Sequence, residues 1–347
     1  MFYRILLLST IVALTGYSFG DGGSPPTGRE GEVTRGIDLL LGTRCGLTIY
    51  EPGRERVITR VFSRVREIEL KMSRRMENSE VRAINRNSGI GEVAISDSTW
   101  SVINTSLRYS KISDGGFDIS IGPLIALWEE SGIKKILPPD EEIKSALNLT
   151  NYKNILMNKE KQSVFLKNRG MIIDLGGIAK GYAVDEAVDI LAEENVKHAI
   201  IDFGGNIYAY GVKKNGKKWR IGIRNPDGRA LDYIGIIEVS DKAIATSGGY
   251  ERFVTINNKH YHHILDSKNG YPVESGLLSA SIISKKSIDA DTLSTVVFIM
   301  GLKEGLRLIE GIKETEGVFI TKEKEIYLTS GLYGNFRLTN NNFRISE

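Results

Sequence analysis

The chain has 347 residues, 41% of them hydrophobic, which is enough to bury a full core and excludes a disordered polypeptide. Its 46 Lys and Arg stand against 43 Asp and Glu, and the net charge of +3 is too small and too evenly spread for a nucleic-acid surface. The single cysteine excludes an intrachain disulfide and a cysteine-cluster metal site.

Residues 1–20 read as an export signal. Arg4 precedes an apolar core from Ile5 to Leu14, interrupted by Ser9 and Thr10, and small residues follow. That core is too short to span a bilayer by itself. Ser18-Phe19-Gly20 reads as a signal-peptidase site. Leu14-Thr15-Gly16 has the form of a bacterial lipobox, but Tyr17 stands where the lipidated cysteine is required. Residues 21–36, polar and rich in Gly and Pro, read as a flexible linker, and residues 37–347 as one folded domain.

A strand from Thr43 to Tyr50 carries Cys45 in an alternating run, which favours burial over a nucleophilic role. A long amphipathic helix follows from Arg54 to Met76, with Val57, Val61, Val65, Ile68 and Met72 at helical spacing. Asp97 or Ser98 starts a second helix, to Ser113. GGFDISIGPLIALW, Gly115 to Trp128, is glycine-rich and apolar, and Ile133 to Glu142 reads as a polar connector. Val184 to Leu191 continues a helix that ends near Asn195. Strands then dominate: Ala199 to Tyr210, Trp219 to Arg224, Ile234 to Val239, Phe253 to Ile256 and Tyr261 to Leu265, separated by turn signals such as Asn215-Gly216, Asp227-Gly228 and Asn269-Gly270. Two helices and a strand close the chain between Asp289 and Leu328. With no repeat and no clear boundary, the expected fold is a single α+β domain.

Three clusters carry chemistry. IDLGGIAKGYAVD, Ile173 to Asp185, fits neither a Walker loop nor a dinucleotide fingerprint. Its glycines nevertheless allow close approach of a ligand, its helix start favours an anion, and Lys180 adds a positive charge. Asp174 would repel a phosphate directly, so it belongs to a metal shell or accepts a hydrogen bond from a neutral part of a ligand. Ligand binding and a structural turn both remain open for this stretch. In SIDADTLSTVVFIMG, Asp291 and Thr295 fall on one helix face as oxygen ligands suited to Mg²⁺, or else Asp289 and Asp291 only enrich a helix N-terminus in negative charge. In YHHILDSKNGYPV, three of the four histidines cluster at His260, His262 and His263, but alternation sends His262 and His263 to opposite faces, against zinc and in favour of one inward base or ligand contact.

These clusters occur in an order that resembles the ApbE family, flavin transferases that attach the FMN half of FAD to a protein. The resemblance runs from Gly42-Thr43 through GGFDISIGPLIALW, IDLGGIAKGYAVD, IDFGGNIYAYG, WRIGIRNP, AIATSGGYERF and HILDSKNGYPV to DADTLSTVVFIMG. It implies an α+β, T-fold-like domain in which helices pack mixed and antiparallel sheets. It further implies a Mg²⁺ site at the Gly177 carbonyl, the Asp291 carboxylate and the Thr295 hydroxyl. FAD contacts are implied at Leu41, Gly116, Phe117, Asp118, Asp174, Lys180, His263 and Leu265. His263 is the candidate acceptor of the hydroxyl proton. The implied partner is a target protein with an acceptor Thr or Ser, of the kind found in Rnf and Nqr respiratory flavoprotein subunits, met on the periplasmic face of the inner membrane.

The chain departs from the family pattern at two places. Leu41 stands where Met is common, a mild change. Arg75 stands where an aromatic residue of an MSTY-like segment stacks near the flavin, and an arginine there is left to lie flat on a ring or contact a phosphate. Some relatives without the aromatic residue act mainly as FAD pyrophosphatases, so FAD hydrolysis to FMN and AMP is the alternative, with a non-catalytic periplasmic FAD-binding protein as the third reading.

Overall fold

The first strand begins inside the stretch read as linker. The structure, a computed structural model, describes residues 33–228, 232–250 and 252–346, and β1 (Thr34–Leu40) takes in the last residues of that stretch. The segments read as export signal and as linker up to residue 32 lie outside the described residues.

β1 turns through Leu41 and Gly42, both at positive φ (54° and 66°), into β2 (Thr43–Ile49). Two such residues are what a tight hairpin turn demands, and glycine meets the demand at no steric cost. α1 (Glu55–Met72) follows, burying Val57, Ile58, Val61, Val65, Ile68 and Met72. It stops short of the expected Met76 because Ser73 turns to an extended ψ of 124° and its hydroxyl accepts the N–H groups of Arg75 and Met76 at 3.2 and 3.3 Å. A serine that satisfies backbone donors this way competes with the helix. α2 (Glu80–Arg86), β3 (Val93–Ala94) and α3 (Asp97–Ile112) come next, the last close to its expected bounds.

The glycine-rich apolar stretch and the polar connector contain two helices, α4 (Gly122–Lys134) and α5 (Asp140–Asn148). Pro123 stands in the first turn of α4, and Asp140, Glu141 and Glu142 in that of α5, both favourable there. β4 (Ile155–Asn158) and β5 (Ser163–Leu166) complete a small sheet with β3.

α6 (Ala179–Glu193) leads into β6 (His198–Phe203) and β7 (Asn206–Gly211), a hairpin where one strand was expected, split by Gly204 and Gly205 at φ 62° and 90°. Then come β8 (Trp219–Arg224), β9 (Tyr233–Val239), β10 (Lys242–Gly248), β11 (Phe253–Ile256) and β12 (Lys259–His262). The chain finishes through β13 (Leu277–Ser284), α7 (Ser287–Met300), α8 (Leu302–Glu310), β14 (Glu316–Thr321), β15 (Glu325–Leu328), β16 (Phe336–Leu338) and β17 (Arg344–Ser346).

The fold is α+β. Nine strands form one sheet in the order β1-β2-β6-β7-β10-β13-β14-β15-β17, antiparallel throughout except for the β15 and β17 pair. Helices α1, α6 and α7 pack together on this sheet, and α7 lies directly against β10 and β13. Nearly every side of α7 is buried, including Ala290, Leu293, Val296, Val297 and Phe298, as expected of a helix without a polar face. The second core, around Trp219, Ile237 and Ile320, joins the central strands to a sheet of β16, β9 and β8. Among the described residues no helix is long and apolar enough to cross a membrane.

Candidate functional site

The site forms where the start of α6 meets α7. Gly181 lets the two helices touch, since a Cβ there would lie 2.5 Å from the Ser287 carbonyl oxygen and 2.7 Å from Asp291 Cβ. Asp291, only 4% exposed, accepts the Gly181 N–H at 2.9 Å on Oδ2, and its Oδ1 lies 3.2 Å from Lys180 Nζ. Lys180 also donates to the Gly176 carbonyl at 3.3 Å. Gly181 is the third residue of α6, so its N–H has no acceptor within the helix and the Asp291 carboxylate supplies one; Gly177 precedes the helix, two residues before Ala179. Thr295 sits one turn along α7 from Asp291, its hydroxyl 3.0 Å from Ser247 Oγ on β10.

Two acids fix α7 in place, Asp185 buried and Asp289 half-buried. Asp185 of α6 accepts the N–H groups of Ser287 and Ile288 at 2.7 and 3.0 Å, capping α7 from outside the helix, and burial pushes its pKa up to about 6. Asp289 receives the Tyr109 hydroxyl at 2.5 Å and Arg108 at 2.9 Å, which ties it to α3 and away from the site.

On the opposite side, the Asp174 carboxylate is fully engaged. Its Oδ1 accepts the Gly176 N–H at 2.7 Å and its Oδ2 takes Arg74 Nε at 2.5 Å. Arg74 also reaches Glu129 Oε1 on α4 at 2.6 Å, and Arg75 donates to the same oxygen at 2.6 Å. Arg75, expected to lie flat on a ring or contact a phosphate, rests here on Glu129 with its side chain 64% exposed. Arg74 was not singled out in the sequence, although a carboxylate beside an anion-favouring helix start signals the need for a neighbouring cation.

The GGFD loop meets the same turn. Phe117 is buried against Gly177, where a Cβ would stand 3.2 Å from its ring, so the glycine admits the ring. Gly116 lines an open depression of about 350 Å³ with Asp266, Ile299 and Met300. Asp118, an expected ligand contact, turns its carboxylate into the protein. It is 6% exposed, its Oδ1 accepts the Ser120 N–H and hydroxyl at 2.8 and 2.6 Å, and its Oδ2 accepts the Tyr152 N–H at 2.7 Å, so the carboxylate braces the loop from within while burial raises its pKa.

His263 follows the β11 and β12 hairpin, with its N–H and its Nδ1 each 3.1 Å from the Arg252 carbonyl. A carbonyl only accepts, so Nδ1 carries the proton and the lone pair is on Nε2. The residue is exposed, yet desolvation of its ring, followed by the positive charges of Arg252, His262 and Lys180, holds its pKa down at about 4. His262 donates from Nε2 to the Val273 carbonyl at 2.9 Å and lies edge-on to Phe298. Leu265 is 4% exposed in a small core with Leu124 and Trp128, and β12 ends at His262 rather than running on to Leu265. Leu41 is half-buried in its hairpin turn, beside the Gly204 turn, whose Cβ would meet Thr43 Oγ1 at 2.4 Å. Cys45 is fully buried and its thiol pKa is pushed up to about 12, which leaves it no nucleophilic role.

Among the described residues no three His, Cys, Asp or Glu side chains group as a metal site. The donor set expected at α6 and α7 is instead one carboxylate, one hydroxyl and one backbone carbonyl. That all-oxygen set fits a hard cation that keeps several waters, and Lys180 Nζ already places positive charge on Asp291.

The ApbE family model matches residues 41–319 of this chain. The FAD:protein FMN transferase of Klebsiella pneumoniae is 32% identical over 292 residues, covering 84% of this chain and 90% of that protein. Its Treponema pallidum counterpart is 28% identical over 99% of this chain and 98% of its own. Among solved structures, the ApbE protein of Thermotoga maritima superposes with a TM-score of 0.79 at 30% identity, covering 87% of this chain and 99% of that one. The flavin transferase ApbE of Vibrio cholerae gives 0.78 at 25% identity, covering 88% and 99%.

Proposed function

The chain belongs to the ApbE family, and from that membership we propose that it is an FAD:protein FMN transferase, moving FMN from FAD to a Thr or Ser hydroxyl of a target flavoprotein and releasing AMP. The observation that carries the reading is the junction of α6 and α7, where Lys180 and the Gly181 N–H both meet the buried Asp291 carboxylate. Simple flavin binding has no need of such a convergence.

The Gly177 carbonyl, Asp291 and Thr295 would hold Mg²⁺, which when bound would offset charge on the pyrophosphate of FAD. Lys180 faces the same phosphates as a point charge. The acceptor oxygen forms its bond to the FMN phosphorus while the bond from that phosphorus to the oxygen leaving with AMP breaks. His263 Nε2 takes the hydroxyl proton, and it is free to do so at neutral pH because its pKa lies near 4.

The second reading, FAD hydrolysis by water at the same site, is favoured by one observation: Arg75 stands on Glu129, and no aromatic ring occupies its position. Incubation with FAD, Mg²⁺ and a threonine-bearing acceptor domain separates the readings by mass spectrometry. A gain of one FMN on the acceptor supports transfer, free FMN and AMP without a gain supports hydrolysis, and unchanged FAD defeats both. Rnf-type and Nqr-type respiratory subunits are the proposed targets, and the periplasmic face of the inner membrane is the proposed location, from the export-like Arg4 to Leu14 segment. Sequencing the mature N-terminus tests the location.

A further inference from the structure

An acid next to a pyrophosphate site poses a physical problem. Asp174 lies two residues before Gly176, whose carbonyl binds Lys180, and so borders the point to which FAD is expected to bring its phosphates. A bare carboxylate there would repel them at close range. The structure gives Asp174 its own cation: Arg74 Nε, 2.5 Å from Oδ2, with both side chains less than a fifth exposed.

We propose that Arg74 is a positioning residue of the FAD site, which holds Asp174 as half of a neutral pair so that the carboxylate accepts a hydrogen bond from an uncharged part of FAD without opposing its phosphates. This rests on the FAD reading above. Arg74 touches no reacting atom and acts through Asp174.

The two carboxylates of the site are neutralised in different ways. Asp291 pairs with Lys180, a compact ammonium on a flexible stem, and a bound divalent cation would take over that charge. Arg74 is held by two carboxylates at once, Asp174 and Glu129, through different nitrogens of one planar fork, so nothing displaces it when ligand arrives. Glu129 in turn takes Arg75, which makes a four-membered group of two arginines and two acids with no net charge. An arginine that only braced the loop after α1 would be satisfied by Glu129 alone, whereas here a second nitrogen of the fork is given to Asp174, whose other oxygen holds the Gly176 N–H.

The test is equilibrium binding, independent of turnover, with FAD as the charged probe and riboflavin and adenosine as uncharged probes of its two halves. Arg74→Gln is expected to weaken FAD about tenfold, more at low salt than at high, while the neutral probes change by less than about twofold. Arg74→Lys, which keeps the charge, is expected to stay within about threefold of the parent. The discriminating variant is Arg74→Gln with Asp174→Asn: with the unpaired charge removed, FAD affinity should recover most of its loss. Equal losses for FAD and the neutral probes, or a double variant no better than Arg74→Gln, would overturn the assignment and leave Arg74 a brace or a direct ligand contact. A parent protein that binds no FAD would overturn the FAD reading itself, and this inference with it.

Discussion

Asp291 and Asp174 are joined through the turn from Gly176 to Lys180, and their supports differ. Asp291 is 4% exposed on a helix buried nearly all round, held by a backbone N–H and by a glycine contact between helices, and that helix is capped by a third acid, Asp185. Asp174 precedes a turn and is held by the Gly176 N–H and by Arg74, which reaches it from the loop after α1 and is itself held by Glu129 of α4. The α7 side is therefore fixed by core packing between helices, which cannot change without disturbing the fold. The arginine side is fixed by ion pairs that grow more exposed from Asp174 outward to Arg75, and its outer members can be exchanged at small cost in stability. Substitutions should accordingly act on chemistry and stability on the first side, and on ligand preference on the second.

The largest expected effect is that of Asp291→Ala. Removing the only buried carboxylate of the oxygen set should lower Mg²⁺-dependent FAD turnover by about 10²–10³-fold, in line with other losses of a preorganised charge-stabilising group. Turnover measured across a Mg²⁺ titration checks this, and a rate equal to the parent's would defeat the metal assignment. His263→Ala comes next, with a loss of about 10²-fold expected for a general base. The pH profile of the parent tests the same residue. Its pKa is depressed to about 4 from an ordinary 6.5, so the neutral, accepting form persists above that value and is lost only as pH falls through about 4. The rate should be flat from pH 8 to well below 6.5 as far as this group is concerned, and a break near 6.5 assigned to His263 would contradict the geometry.

Parts of this contrast were legible in the sequence. The i, i+4 spacing of Asp291 and Thr295 placed both on one helix face, and the apolar spacing of Val57 to Met72 defined α1, because helical periodicity is a local property. Side-chain direction in loops is not. Asp118 faces inward because Tyr152, 34 residues away, offers it an N–H, and Asp174 is paired because Arg74, 100 residues away, reaches it. Leu265 turns into a core made by α4, a helix hidden in a stretch that read as glycine-rich loop. β10 and β13 were missed because both are buried on both faces at the sheet centre, which removes the alternation that marks a strand.

Gly181→Ala probes how rigid the α7 side is. The new methyl would need space now held by the Ser287 carbonyl, 2.5 Å away, so α6 and α7 must part. Overpacking of this kind costs about 1–3 kcal/mol, readable as a lower urea midpoint with an unchanged slope. Turnover should fall with it, because the Gly181 N–H and Lys180, both at the start of α6, hold the Asp291 carboxylate. Full stability in this variant would mean that the junction yields, and the contrast between the two sides would lose its basis.

The smallest effect is expected at Arg75→Ala. Its guanidinium is largely exposed, and Glu129 keeps Arg74 on the same oxygen when Arg75 is gone, so no charge is left unpaired in the interior. Exposed pairs of this kind contribute about 0–1 kcal/mol, and the urea midpoint should shift by no more than that. Arg74→Ala should cost more, since it leaves Asp174, with a side chain only 18% exposed, without its cation. The two single variants and the double variant form a cycle that isolates the coupling. If Arg75→Ala destabilises as much as Arg74→Ala, the four charges act as one rigid unit, and the arginine side is as fixed as the helix junction opposite it.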